Sequence, residues 1–230
     1  TGDAAHVYLG LAVRKVLTVV LDTESEVEYV VRDSGASCVL TAGAPLPDGR
    51  PVAEEGLRHE DLAAIFYTSG TTGFPKGAMT SHANFLTNCE NVRRVSGTPE
   101  HDPTARNLIS VPLFHVTACN SQLLPSVHRG GTAVIMPSFD VHRFLRAMAE
   151  EDITVVTAVP AVYWLALSQP DVADHDLSEV QHVSYGGAPT PPDLVARIKE
   201  KFSGVWTKGE VTIGGECTNG ALEALDRHPA

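Results

Sequence analysis

Positive charge is scarce in this 230-residue chain: 17 lysines and arginines stand against 28 acidic residues, a formal net charge of -11. A nucleic-acid surface or an anionic membrane face needs clustered cations to displace counterions, so this balance argues against both. Cysteine is sparse as well. Cys38, Cys89, Cys119 and Cys217 lie far apart with no C-x-x-C pair, which suggests neither a zinc site nor a disulfide framework and fits a reducing cytosol. No apolar run approaches the roughly 18 residues of a membrane span, and no charged-then-apolar leader opens the chain. The resulting expectation is a cytoplasmic protein without a membrane span. The chain opens at Thr1-Gly2-Asp3, with neither a methionine nor a capped element, and residues preceding these are expected.

With 43% hydrophobic and 20% charged residues, the chain can build a core as one large domain or two small ones. Val16 to Leu21 is a short β-branched run. Ser25 with Glu28 has the spacing of a capping box for a helix through Arg32 that Gly35 closes, and Cys38 to Thr41 reads as a strand. Residues 42–59 are rich in Pro, Gly and acidic residues, without a sustained period, and read as a connecting loop. A regular alternation follows. Strands are expected at Ala63–Tyr67, Leu108–Val111, Thr132–Met136, Val155–Ala158 and Val180–Ser184. Helices are expected at Ala83–Val95, Phe114–Val127, Val141–Glu151, Ala161–Leu167 and Pro192–Phe202. Ser81, Asp140 and Thr190 are N-cap residue types, and Pro191 and Pro192 suit a first turn, where an amide hydrogen is not needed. This is an α/β pattern: mixed or parallel sheets with helices on the faces, a class that binds ligands at strand ends.

The stretch richest in chemistry is Tyr67-Thr68-Ser69-Gly70-Thr71-Thr72-Gly73-Phe74-Pro75-Lys76-Gly77, directly after a strand. Glycines let backbone amides turn toward one concave point, hydroxyls add donors, and Lys76 adds a full charge, so the composition suits a polyphosphate. It does not have Walker A spacing. A Ser/Gly-rich surface turn is the bland alternative; the single cation between glycines after an apolar strand favours phosphate. Two further segments stand out, Val111-Pro112-Leu113-Phe114-His115-Val116 and Ser184-Tyr185-Gly186-Gly187-Ala188-Pro189. Taken alone, His115 reads as a helix-start histidine and the glycine pair as a tight strand-to-helix turn.

Together, and in this order, the three segments resemble the adenylate-forming (AMP-binding) superfamily, from about Glu26 to Gly204. The first segment, continuing as Ala78-Met79-Thr80-Ser81-His82-Ala83-Asn84-Phe85, is the specific one. Phe114-His115 resembles the acyl-CoA synthetase, or fatty-acid–CoA ligase, branch more than amino-acid-activating domains. No acidic residue between Val111 and Gln122 is available to hold an α-ammonium. The resemblance implies an N-terminal core of an adenylate-forming enzyme that uses ATP, Mg2+ and coenzyme A to activate a carboxylic acid, with a fatty acid the expected class. It further implies that Thr68, Ser69, Gly70, Thr71, Thr72, Gly73 and Lys76 hold the phosphates. Lys76 and Thr72 would be catalytic, with His115 beside the carboxylate, and Gly186, Gly187 and Ala188 would border the adenine.

The chain also departs from the family. A Y-G-x-T-E segment, whose Glu helps hold magnesium, and a following Asp for the ribose are absent after Phe202, as is the C-terminal catalytic lysine. Hence no metal ligand is assigned. Residues 1–206 are read as an incomplete large AMP-binding N-terminal domain. Residues 207–230 resemble the start of the small C-terminal domain. The alternative function is a degenerate nucleotide- or acyl-binding remnant without turnover. A serine hydrolase is disfavoured because His182-Val183-Ser184-Tyr185-Gly186 lacks the first glycine of a G-x-S-x-G elbow.

Overall fold

The computed structural model describes residues 17–19, 24–36, 39, 56–68 and 75–202. The fold is α/β, as the alternation implies, and the described chain divides at Asn88/Cys89 into two compact units.

The first unit carries a three-stranded sheet. Strand β1 (Leu17–Val19) lies parallel to β2 (Leu62–Thr68), and β2 pairs antiparallel with β3 (Lys76–Ser81). Helix α1 (Glu24–Ser34) begins ahead of the expected capping box and runs two residues past the expected Arg32, up to the expected Gly35. There Gly35 takes φ +67° and the Ala36 amide donates to the Val31 carbonyl, a C-cap that a side chain with a Cβ disfavours. Strand β3 was not expected from sequence. Its first four residues are exposed, so no in-out alternation marks it, and it is held as a strand by its ladder to β2. The expected strand Cys38–Thr41 lies outside the described residues except for Val39, which is in no strand. Residues 207–230 also lie outside them.

Helix α2 (His82–Val95) starts as expected, with the Ser81 hydroxyl accepting from the Asn84 amide at 3.2 Å. The second unit is then built on four parallel strands: β4 (Arg106–Ile109), β5 (Thr132–Ile135), β6 (Val155–Ala158) and β7 (His182–Tyr185), in the order β5-β4-β6-β7. Strands β4 and β7 are each displaced by two residues from the expected positions at their start. Parallel crossovers are right-handed. The step from β4 to β5 runs one way along the sheet, while β5 to β6 and β6 to β7 run the other, so their helices fall on opposite faces. One face carries α3 (Val116–Ala118), a π turn (Cys119–Leu123) and α4 (Leu124–His128). The other carries α5 (Val141–Glu150) and α6 (Pro160–Leu167), with α7 (Pro192–Lys201) beside α6. The neighbours β4 and β6 thus send their following chains to opposite faces, which is the switch point where such sheets bind ligands.

Alternation along the strands sorts the side chains. Leu108, Val156, Ala158, Val183 and Tyr185 point into the main core with Phe144, Leu145 and Met148 of α5, Tyr163 of α6 and Ile198 of α7. The Tyr163 hydroxyl donates to the carbonyls of Val156 and Ser184, so it braces β6 against β7. Asp140 caps α5 through the Arg143 amide at 2.8 Å. Thr190 does not cap α7: Pro191 is the N-cap residue, extended at φ -60° and ψ 141°, and there is no side-chain cap bond. The expected helix Phe114–Val127 also differs. It begins at Val116, and the Leu124 amide reaches back five residues to the Cys119 carbonyl. Pro125 follows with no amide hydrogen, so the change of register loses no bond there.

Candidate functional site

The two units carry separate parts of the expected site. In the first, Thr68 and Lys76 form the last pair of the β2–β3 hairpin, so its two strands bracket the expected phosphate-loop residues. Ser69, Gly70, Thr71, Thr72 and Gly73 lie outside the described residues. Lys76 is exposed. It makes no ion pair among the described residues.

Both stems of this loop are tied to one face of α1. The Tyr29 hydroxyl donates to the Pro75 carbonyl at 3.1 Å, and the Tyr67 hydroxyl donates to Asp33 Oδ2 at 2.6 Å. Tyr29 and Asp33 are four residues apart, one above the other on a helix. The two rings meet edge to face, with centroids 6.4 Å apart. Desolvation, then the Asp33 carboxylate, pushes the Tyr67 phenol up to about 12, so it remains a donor. Gly77 makes this stem possible: a Cβ there would stand 2.7 Å from Ile65 Cγ2 and 3.0 Å from Tyr67 Cζ. Tyr29 and Asp33 were not singled out from sequence, because only the pairing of β2 with β3 brings Tyr67 and Pro75 to α1.

In the second unit a cavity of about 310 Å³ opens on the sheet face opposite the main core. Its floor follows from the strand register. Asn107, Val155 and His182 form one row across β4, β6 and β7, and Thr157 and Ser184 stand two residues further on, paired at 2.7 Å through their hydroxyls. Val92 and Val95 of α2 and Thr117, Ser121 and Ser126 of the α3–α4 segment supply walls. Gly186 and Gly187 line the cavity at the C-terminal end of β7. Gly187 has φ +81°, a left-handed backbone that favours glycine. Ala188 is exposed beside them. Of the sequence-derived residues of this unit, the structure therefore brings Gly186 and Gly187 to the cavity. His115 is not in its lining. It is exposed and caps α3, its Nδ1 accepting from the Thr117 amide at 3.2 Å, and Thr117 is the lining residue.

The far end of the cavity is polar. Arg129 is buried and paired with Asp102 at 2.7 Å. Asn107 Nδ2 donates to Ser126 Oγ at 3.2 Å, while its Oδ1 has no partner among the described residues. His182 is half-buried and makes no side-chain hydrogen bond to a described residue. Burial lowers its pKa below the ordinary value, and Arg129 adds to this while Asp102 opposes it, so the imidazole is neutral at pH 7. None of these four was chosen as a site residue from sequence. Ser184 bonds Thr157 rather than a histidine, which gives no support to a hydrolase. Burial pushes the Cys119 thiol up to about 11, so it is not a ready nucleophile. Among the described residues no group of three His, Cys, Asp or Glu side chains is placed to hold a metal ion. No described helix is long and apolar enough to cross a membrane.

The chain has relatives among known proteins. Residues 44–215 match the family of AMP-binding enzymes, and the chain belongs to that family, in the CoA-ligase branch of the adenylate-forming superfamily. Feruloyl-CoA synthase of Amycolatopsis sp is 33% identical over 198 residues, which cover 76% of this chain and 39% of that protein. 4-Coumarate–CoA ligase 2 of Nicotiana tabacum is 31% identical over 184 residues, 78% of this chain and 33% of that one. Among solved structures, the inhibitor-bound N-terminal domain of FACL13 from Mycobacterium tuberculosis is similar with a TM-score of 0.57 and 30% identity. That match covers 66% of this chain and 37% of the other. The chain thus spans about two fifths or less of the length of these curated relatives.

Proposed function

We propose that the protein carrying this chain activates a carboxylic acid with ATP and transfers it to coenzyme A. A carboxylate oxygen attacks the α-phosphorus of ATP, the bond to pyrophosphate breaks, and an acyl-adenylate forms. The CoA sulfur then attacks the acyl carbon, AMP leaves with the bonding electrons, and the thiol proton passes to solvent. The first step needs no general base, because the nucleophile is already anionic. The protein's task there is to orient two anions and to neutralise charge on the leaving pyrophosphate.

The observation that carries this reading is the β2–β3 hairpin whose last pair, Thr68 and Lys76, brackets the Ser/Gly-rich segment, its stems pinned by Tyr29 and Asp33. In this reading Ser69, Thr71, Thr72 and Lys76, with the amides of Gly70 and Gly73, hold the phosphates. The cavity receives the acid, with Gly186, Gly187 and Ala188 bordering the adenine; a place for His115 beside the carboxylate rests on the family resemblance alone, since it lies outside the cavity's lining. Mg2+ would accompany ATP; no step is assigned to it. The sequence favours a fatty acid over an amino acid. The names of the feruloyl and 4-coumarate relatives favour an aryl acid within the same chemistry.

Lys76→Ala in the full polypeptide tests the reading. The side chain is exposed, so folding should be unchanged. Loss of one charge-assisted contact should weaken ATP use by about 1.5–3 kcal/mol. Acid-dependent pyrophosphate release at the wild-type rate would remove the phosphate-loop assignment.

A further inference from the structure

We propose that His182 is a specificity residue of the acid cavity, hydrogen-bonding a hydroxyl at the end of the acid opposite the carboxylate. This rests on the reading of the cavity as the acid's pocket, and it adds what the far end of that pocket selects.

Strand β7 sets the length. His182 is its first residue, and Gly186 follows its last, with both lining the cavity. Four steps along an extended strand span roughly 13 Å, which leaves about 10 Å for the acid once a hydrogen bond of about 3 Å is subtracted. That is the span of an arylpropenoic acid and well short of a long saturated chain. Residues 182, 184 and 186 share one side of the strand by its two-residue period, so the ruler and the imidazole lie on the cavity side.

The chemistry at the far end is selective. Val92, Val95, Pro125 and Val155 offer an apolar middle suited to a ring. Beyond it the row Asn107-Val155-His182 places the imidazole in a polar corner with Arg129. A long alkyl chain ending there would strand these groups without partners, which costs more than the lost contact itself. The Arg129 guanidinium gives Nη2 to Asp102 and leaves its buried Nε without a partner among the described residues, and the His182 imidazole likewise bonds no described residue. Being neutral at pH 7, it has one nitrogen that accepts and one that donates, and a phenolic hydroxyl can use either. The two relatives named for feruloyl and 4-coumaroyl acids act, by those names, on acids with such a hydroxyl; among the described residues His182 is placed to read it.

The test is acid-dependent pyrophosphate release by the full polypeptide with cinnamate and 4-hydroxycinnamate. The wild type should favour the hydroxylated acid in kcat/KM by about tenfold. His182→Val should bring the ratio to about one, and His182→Gln should restore much of the preference. A ratio taken within one protein cancels any loss of folded material. A wild-type ratio near one, or a ratio that His182→Val leaves intact, overturns the inference while acid activation stands. So does activation of alkyl acids with neither aryl acid accepted. If no acid of any class releases pyrophosphate, the inference falls together with the functional reading beneath it.

Discussion

Removing the Asp102 carboxylate should cost the second unit more than any surface change of similar size. The carboxylate joins two turns. Its Oδ1 accepts from the Thr104 amide at 3.2 Å, the Thr104 hydroxyl at 2.8 Å and the Ala105 amide at 3.1 Å, and its Oδ2 meets Arg129 Nη2 at 2.7 Å. The backbone repeats the link: the Asp102 amide donates to the Arg129 carbonyl, and the Thr132 amide to the Ala105 carbonyl. These bonds set the starts of the neighbouring strands β4 and β5 together. Burial alone would raise the carboxyl's pKa, but the Thr104 hydroxyl, the Arg129 charge and the two amides outweigh it and hold it below the ordinary 3.8. Its stabilising effect is therefore complete above about pH 4 and fades as pH falls through the lower folded-state value. Breaking a fully buried pair costs about 3–5 kcal/mol. Here the side chains are 23% and 9% exposed, so solvent relieves part of the stranded charge and about 2–4 kcal/mol is expected for Asp102→Ala. Asp102→Asn keeps an acceptor for the amides and should cost about half as much. Urea unfolding followed by tryptophan fluorescence, with Trp164 in the same unit, reads both. A double-mutant cycle with Arg129→Met should show strong coupling. Costs below about 0.5 kcal/mol for Asp102→Ala, or strict additivity with Arg129→Met, would refute the argument.

Three further sites give expected outcomes. Gly77→Ala drives a methyl against the stiff β-branched Ile65 and the tethered Tyr67 ring, so it should destabilise the protein by about 1–3 kcal/mol, measurable as a lower urea midpoint. Asp33→Ala frees the Tyr67 hydroxyl at the loop stem, and should raise KM for ATP roughly threefold, as expected for one lost hydrogen bond. The same variant should bring the Tyr67 phenol down from about 12 toward 10 in an ultraviolet titration. Because His182 has a lowered pKa in the fold, the unfolded chain takes up a proton below about pH 6.5 that the folded chain resists. Stability should then decline as pH falls below 6.5, levelling out under the folded-state value, and His182→Gln should flatten that decline.

What was legible in the sequence follows from how local each signal is. The buried parallel strands are short β-branched runs between turn residues, and Val155–Ala158 is found where its composition puts it. The caps at Ser81, Asp140 and Gly35 are single-residue geometries and were equally readable. Strand β3 carries no such mark: Lys76, Gly77, Ala78 and Met79 are all exposed, and only the ladder to β2 makes them a strand. With that strand in place, the Ser/Gly-rich segment is bracketed by a hairpin whose stems α1 holds.

The cavity was less legible still, because its polar end exists only in the order of the strands. Asn107 and His182 meet in one row because β6 stands between β4 and β7, an order set by the crossovers and not by any residue near either one. Asp102 reaches Arg129 across 27 residues. The segment from His182 to Gly186 was weighed from sequence as a nucleophile elbow, a question about Ser184, when the residue with an unspent hydrogen-bonding group was the histidine at its start. A motif search compares residues along the chain, while a parallel sheet presents every second residue of several strands to one ligand. On the reading proposed above, an acid lying along β7 would meet Gly186 at one end and His182 at the other. Its length and its terminal group would then be selected together, by how many strand steps separate the glycine turn from the imidazole.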